Sequence, residues 1–363
     1  MLERLKVLVL VLSSTRTAIV AVCALAVSCT VVHEKDLIRF SVEETRITQS
    51  VTIFPERAIL GTRNLMGFAV LDDELIATAD FTTDHSLDVI DIVSGEVRQG
   101  LCKRGRGPGE FLDICPLFSI AGESVIVYDA RRGIIAEVSI KTDPGTVIRQ
   151  VKAESRDGKT NPIIMSTYKV GQKDVIAYNS IQGSPELVGI ENPYYAMYDW
   201  ESGAEKREFN LFDAAPIKDY PDYVRMIAFE LRDCINSQNT TICFVMNSMP
   251  IYGFIDIQSG AVRGFRLKGE PAFSANESKL FFTGICAQDE SIYAIYFGKD
   301  EKLFAPETGK TVLYKLDWNG HLLNRYELDG LYRSCYATKD KLYLSRIEND
   351  LQTALYQIDI KQL

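Results

Sequence analysis

One pattern returns six times along this chain, with variations, and limits what it can fold into. It consists of an apolar strand, an acid near the strand end, a glycine-containing turn, and a second strand leading away. VIDIVSGEV (Val89 to Val97) is the clearest copy, and MYDWESGAEK (Met197 to Lys206), FIDIQSGAV (Phe254 to Val262) and YKLDWNGHLL (Tyr314 to Leu323) repeat it. EVSIKTDPGTV (Glu137 to Val147) keeps the turn without the strand-end acid, and ALYQIDIKQL (Ala354 to Leu363) keeps Asp359 without a second strand. Self-similarity of this kind marks a repeat architecture, in which each unit buries its faces against its neighbours.

The strand-end positions Asp91, Ser139, Asp199, Asp256, Asp317 and Asp359 lie 48, 60, 57, 61 and 42 residues apart. A four-stranded propeller blade takes about 40–50 residues, and longer loops account for the excess. Strands such as VIVYD, ICFVM and SIYAIYF are apolar on both faces, as required when each sheet is sandwiched between two others. Five units carry four strands, and the sixth, through LYRSCYAT, KLYLSRI and TALYQIDI, carries three. LIRFSVEETR and QSVTIFP (Leu37 to Pro55) supply strand-like segments outside the six hairpins. The expected fold is therefore all-β: a six-bladed β-propeller closed by an N-terminal strand on the last blade. Seven blades, with residues 37–60 as a degenerate one, is the alternative.

The chain is 46% hydrophobic and 25% charged, enough apolar material for a large core. A formal charge of −9 argues against a nucleic-acid partner. The eight Cys include no CxxC pair and the three His are scattered, so neither a zinc site nor any other metal or cofactor is expected. Cys234 and Cys243 are placed to face each other across a hairpin, while most of the Cys read as small buried apolar residues.

The first residues read as an export signal. Arg4 and Lys6 precede two apolar runs, residues 7–12 and 18–27, which Arg16 separates. Neither run approaches the roughly 20 residues a membrane-spanning helix needs. LAVSC then ends on Cys29, which suits a cleaved, lipidated N-terminus, although Ala26 stands where a lipobox usually has Leu. The expected organisation is a signal peptide over 1–28, a lipidated tether over 29–36, and one propeller over 37–363. An uncleaved anchor and a soluble secreted protein are the other readings.

LCKRGRGPGEF (Leu101 to Phe111) joins the first unit to the second and stands apart in composition. Gly105, Gly107, Pro108 and Gly109 fix an irregular path. Lys103, Arg104 and Arg106 place three cations beside Glu110 in an otherwise acidic chain. The stretch lacks GxxxxGK[ST] and no helix follows it, so it is not a phosphate loop. Two readings stay open. In one, Lys103, Arg104, Arg106 and Glu110 contact a ligand near the channel. In the other, Glu110 pairs with an Arg and Phe111 fills a blade junction.

G-x-G-P-G-E-F after a lipobox-like signal resembles the TolB-like six-bladed propeller lipoproteins of Bacteroides-type bacteria. IVYDARRGIIAEV (Ile126 to Val138) resembles the D-x-x-x-x-x-I-x-x-[FV] core of NHL-type blades. The likeness implies fold and envelope location and brings no established reaction. The strand-end Asp residues read as turn-bonding groups rather than a cation ring. Tyr194, Tyr195, Tyr220 and Tyr223 are candidates for a stacking surface, and no catalytic set is recognised. The leading expectation is a monomeric, non-catalytic exported lipoprotein that touches the membrane only through its anchor. It would bind a peptide, protein or glycan on one face of the ring. The alternative is a propeller hydrolase or lyase with its site at the channel mouth.

Overall fold

The computed structural model describes residues 32–363 apart from 48, 59–64, 154–160, 181–191, 218–219, 221–223, 225–226, 275–278, 307–308 and 350–351. Cys29, the signal segment, Tyr223 and the first residues of the expected tether lie outside the described residues.

Six antiparallel meanders follow one another along the chain. Blade 1 is built from Phe68–Leu71, Glu74–Thr78, His85–Asp91 and Val97–Lys103, and blade 2 from Ser119–Ala121, Ser124–Asp129, Ile134–Ser139 and Val147–Lys152. Blade 3 comprises Ile163–Val170, Asp174–Ser180, Tyr194–Asp199 and Glu205–Asn210. Blade 4 comprises Leu231–Ile235, Thr241–Met246, Ile251–Asp256 and Val262–Leu267. Blade 5 takes Lys279–Gln288, Ser291–Asp300, Val312–Asp317 and Leu322–Leu328, and blade 6 takes Tyr332–Ala337, Lys341–Asn349 and Gln352–Asp359. The first strand of each blade is innermost.

Period-2 alternation sends successive side chains of one strand into different blade junctions. In blade 2, Val125 and Val127 pack against blade 1, whereas Ile126 and Tyr128 pack against blade 3. In blade 4, Ile242, Phe244 and Met246 face blade 3, and Cys243 and Val245 face blade 5. Six apolar clusters result, one for each junction of the closed ring. The fold is thus the expected six-bladed propeller. The hairpin turns follow local chemistry: Asp72 and Asp73 both adopt positive φ (48° and 63°), the tight turn that short Asp side chains tolerate.

The N-terminal segment runs around the outside of the ring. Glu34–Leu37 forms a helical turn, and Ile38 bridges to Phe212 beside blade 3. Val42–Thr45 then pairs parallel to the outermost strand of blade 4, and Val51–Ile53 parallel to that of blade 5. Glu56–Arg57 finally pairs antiparallel to Gln352–Asp359, giving blade 6 its fourth strand. Closure on the last blade is as expected, but two residues near position 56 perform it. The strand-like segments expected to supply the closing strand, within residues 37–55, instead pair with blades 4 and 5. Glu34, within the expected tether, bonds Arg266 Nε at 2.9 Å and the Phe273 amide at 2.7 Å.

Cys234 and Cys243 are register partners, and all six described cysteines carry free thiols. Among the described residues no helix is long and apolar enough to cross a membrane.

Candidate functional site in the central channel

The six innermost strands enclose a cavity of ≈ 220 Å³ to which every blade contributes. Its lining mixes apolar side chains (Phe118, Met165, Ile285) with hydroxyls from four blades: Ser119, Ser166, Thr167, Thr283 and Ser334. Ser119 Oγ donates to the Thr167 carbonyl at 2.6 Å, and Ser334 Oγ to the Leu65 carbonyl at 3.0 Å. Thr167 Oγ1 differs: the residue is 2% exposed and this hydroxyl has no partner among the described residues. Cys234, Cys286 and Cys335 also border the cavity. Burial pushes the Cys234 and Cys286 thiols well above their ordinary value, so both are neutral rather than nucleophilic thiolates.

Innermost strands are irregular where they begin. Register shifts between Ile164 and Ser166, and between Tyr332 and Ser334, leave Met165 and Arg333 as extra residues, and a similar shift precedes Gly284. A bulge re-aims the inserted side chain out of the ladder. Met165 and Thr283 accordingly border the cavity.

The polar centre of the cavity is Asp233 of blade 4. Blade 3 holds its carboxylate with three hydroxyl donors: Ser166 Oγ at 2.6 Å, Tyr195 OH at 2.6 Å and Tyr168 OH at 2.9 Å. Desolvation nevertheless raises its pKa above the ordinary carboxylate value, outweighing these bonds and the Arg232 charge, which all act downward. Next to it, Arg232 Nη2 pairs with Glu230 Oε1 at 2.8 Å, and Nη1 donates to the Leu231 carbonyl at 2.9 Å. Among the described residues no group of three His, Cys, Asp or Glu is placed to hold a metal ion.

The glycine-rich connection lies away from this cavity, and none of Lys103, Arg104, Arg106 or Glu110 borders it. Arg104 is turned back onto blade 1, where Nη1 donates to the Asp80 and Thr83 carbonyls at 2.9 Å each and the guanidinium lies over the Phe81 ring. Glu110 pairs with Lys103 Nζ at 2.9 Å, not with an arginine, and accepts the Gly107 amide at 2.8 Å. Those two bonds hold its carboxyl below the usual range. Phe111, 2% exposed, fills the junction of blades 1 and 2. Arg106 is exposed and makes no ion pair among the described residues. Gly109 needs positive φ (73°), whereas Gly107 does not. At Gly105 a Cβ would meet Glu110 Oε2 at 2.0 Å, so that residue makes room for the carboxylate. Pro108, at the exposed tip, adds stiffness to the same turn.

The strand-end Asp residues bond their own turns. Asp91 accepts the Ser94 amide at 2.7 Å, Asp199 the Ser202 amide at 2.8 Å and Asp256 the Ser259 amide at 2.6 Å. Tyr194 and Tyr195, expected as a stacking surface, are 4% and 0% exposed and belong to the junctions flanking blade 3. The residues not anticipated are Arg232, Asp233 and Arg333. A signal for them exists: R-x-C recurs in LRDCI and YRSCY, near the start of two innermost strands whose only other charge is Asp233.

No protein-family model matches this chain, and no curated protein matches it. Its fold is similar to a member of the DUF4221 family from Bacteroides vulgatus, at 9% identity and TM-score 0.55, covering 90% of this chain and all of that one. A Bacteroides fragilis protein described as exported aligns at 9% identity and TM-score 0.47 over 90% of this chain and 97% of its own. The likeness is one of fold.

Proposed function

We propose that this chain is an exported, lipid-anchored binding protein, akin to the TolB-like propeller lipoproteins, whose central channel receives the end of a peptide or glycan without transforming it. The observation that carries the reading is the channel cavity itself. All six blades converge on it, and its apolar wall is broken by convergent hydroxyls, one carboxyl and Arg232. Concave sites with a few placed polar groups among apolar walls are the usual form of a ligand pocket. At ≈ 220 Å³ it takes a terminal unit rather than a folded partner.

Saturation-transfer NMR with two probe series, N-acetylated tripeptides and disaccharides, tests the binding claim. Wild-type protein is expected to transfer saturation to members of at least one series, and Met165→Trp, which fills the cavity, to abolish the transfer. Probes recovered chemically unchanged support a binder, and turnover would establish the enzyme reading instead. Signal that survives Met165→Trp would move the site off the channel.

The anchor is tested separately. Cys29→Ser is expected to release the protein from the membrane fraction and to end labelling by a fatty-acid analogue. Continued membrane association of the unlabelled variant would show an uncleaved anchor instead.

A further inference from the structure

We infer that the mouth of the channel binds a carboxylate, gripped between the guanidiniums of Arg232 and Arg333. This rests on the channel being a binding site and adds the chemistry of what enters it.

Arg232 and Arg333 occupy the same place in two copies of the repeat, at R-x-C in the innermost strands of blades 4 and 6. Blade 5 stands between those blades, so the two residues share no blade junction, yet the Arg232 charge reaches Arg333. The bulge between Tyr332 and Ser334 turns Arg333 out of its ladder, while Tyr332 on one side packs into the junction of blades 5 and 6. Ser334, on the other side, borders the cavity.

The charge count at the mouth is unbalanced. Glu230 is tied to Arg232 at 2.8 Å. Arg333 is half-buried and has no hydrogen bond or ion pair among the described residues. Burial and the neighbouring Arg232 charge depress its pKa, and Glu230 offsets only part of this. A desolvated cation without a counter-ion is costly, and proteins normally pair it or bond it. In a chain of net charge −9, a cation left in that state is not explained by general solubility.

Two guanidiniums and the Glu230 carboxylate leave one positive charge to neutralise, while burial disfavours the ionised form of the neighbouring Asp233 carboxyl, which three hydroxyls of blade 3 already hold. A monoanion of planar, forked geometry matches, because guanidinium binds carboxylate through paired N–H donors. Drug-sized ligands take about 300–1,000 Å³, so this cavity admits one terminal unit. The C-terminal residue of a peptide and an acidic sugar both present such a carboxylate.

Paired probes separate the sources. N-acetyl-trialanine is compared as free acid and as amide, and glucuronate is compared with glucose, by calorimetry or NMR titration. The acid of one pair is expected to bind wild-type protein at least about tenfold more tightly than its neutral partner, and the series showing the preference identifies the source. Arg333→Gln should erase that preference. Arg333→Lys should retain part of it, and Glu230→Gln, which frees Arg232, should strengthen it. Without ligand, Arg333→Gln should raise the melting midpoint, because an uncompensated cation is removed. Equal binding of acid and neutral probes, or a preference that survives Arg333→Gln, overturns the inference while leaving the channel as a binding site. Sulfate displacing the acid probe more strongly than acetate does would overturn the carboxylate assignment. Failure of every probe to bind removes the channel reading itself.

Discussion

Deleting residues 32–58 is expected to lower the melting midpoint by about 7 °C and to promote aggregation. The segment carries three edge pairings, Val42 to Thr45 on blade 4, Val51 to Ile53 on blade 5 and Glu56 to Arg57 on blade 6. It also buries Leu37 (0% exposed) and Ile53 (9%), and sets Phe40 edge-on to Phe244 with ring centroids 5.6 Å apart. Each buried aliphatic side chain is worth roughly 1.5–3 kcal/mol and each backbone bond about 1 kcal/mol net, against the entropy of ordering the segment. A loss on the order of 5 kcal/mol remains. With a melting entropy of about 2.1 cal/mol/K per residue, that corresponds to the stated shift for a domain of this size. Aggregation follows because blade 6 is left with three strands and an open edge at Gln352–Asp359. Deleting only residues 32–47 keeps the closing pair and should cost less, with little aggregation. Calorimetry and light scattering on both truncations check this. Full-length stability in the longer truncation would remove the segment from any structural role.

Glu137→Ala is expected to cost about 3–5 kcal/mol. Glu137 is 3% exposed within blade 2 and meets two cations, Arg149 Nε at 2.6 Å and Lys169 Nζ at 2.8 Å. Arg149 belongs to the outermost strand of blade 2 and Lys169 to the innermost strand of blade 3, so one carboxylate ties two blades together. Arg149 also lies 4.7 Å over the Trp200 ring, so it stays in place when Glu137 is removed. The variant therefore keeps two largely buried cations without their anion. Burial opposes ionisation of Glu137, but the Lys169 and Arg149 bonds prevail and hold its pKa below the ordinary 4.5. A depressed carboxylate contributes stability above its unfolded pKa and loses it as pH falls through the folded value. Stability of the wild-type protein should thus decline with acidification below about pH 4.5. Glu137→Gln should be less stable near neutrality and show a flatter decline, read as the difference between the two proteins. Parallel pH curves would contradict this account.

The ring was legible in the sequence because its cause is local and repeated. Strands such as Ser124–Asp129 must feed two junctions at once, and their continuous apolar run states this openly. Turn residues were equally plain, since Asp91, Asp199 and Asp256 each bond amides only a few positions ahead. The course of the N-terminal segment was not legible beyond closure, because parallel edge pairing at Val42–Thr45 leaves an exposed pattern much like that of a linker. The glycine-rich connection drew notice through composition, yet its bonds are internal. Glu110 serves Lys103 and the Gly107 amide, and Arg104 serves carbonyls of blade 1. The channel groups escaped for the opposite reason. Arg232 and Asp233 share one short strand of blade 4, whereas Arg333 and the hydroxyls of blade 3 that bond Asp233 come from strands far apart in sequence, and only the folded ring brings them together.

That closure also sets the order in which the molecule is able to acquire its structure. Val42 pairs with Gly264, Val51 with Tyr326 and Arg57 with Tyr356, so the earliest described residues wait for the latest. Every other pairing within a blade is a short-range hairpin that forms as its strands appear. The entropy of closing so long a loop grows only slowly with its length, but contacts of this range slow the approach to the native state. The ring therefore assembles as an open arc, with unsatisfied strand edges at blades 4, 5 and 6, and becomes a closed ring in a final latching step. The share of stability that the longer truncation removes then resides in a segment of fewer than thirty residues, while the six blade cores carry the rest.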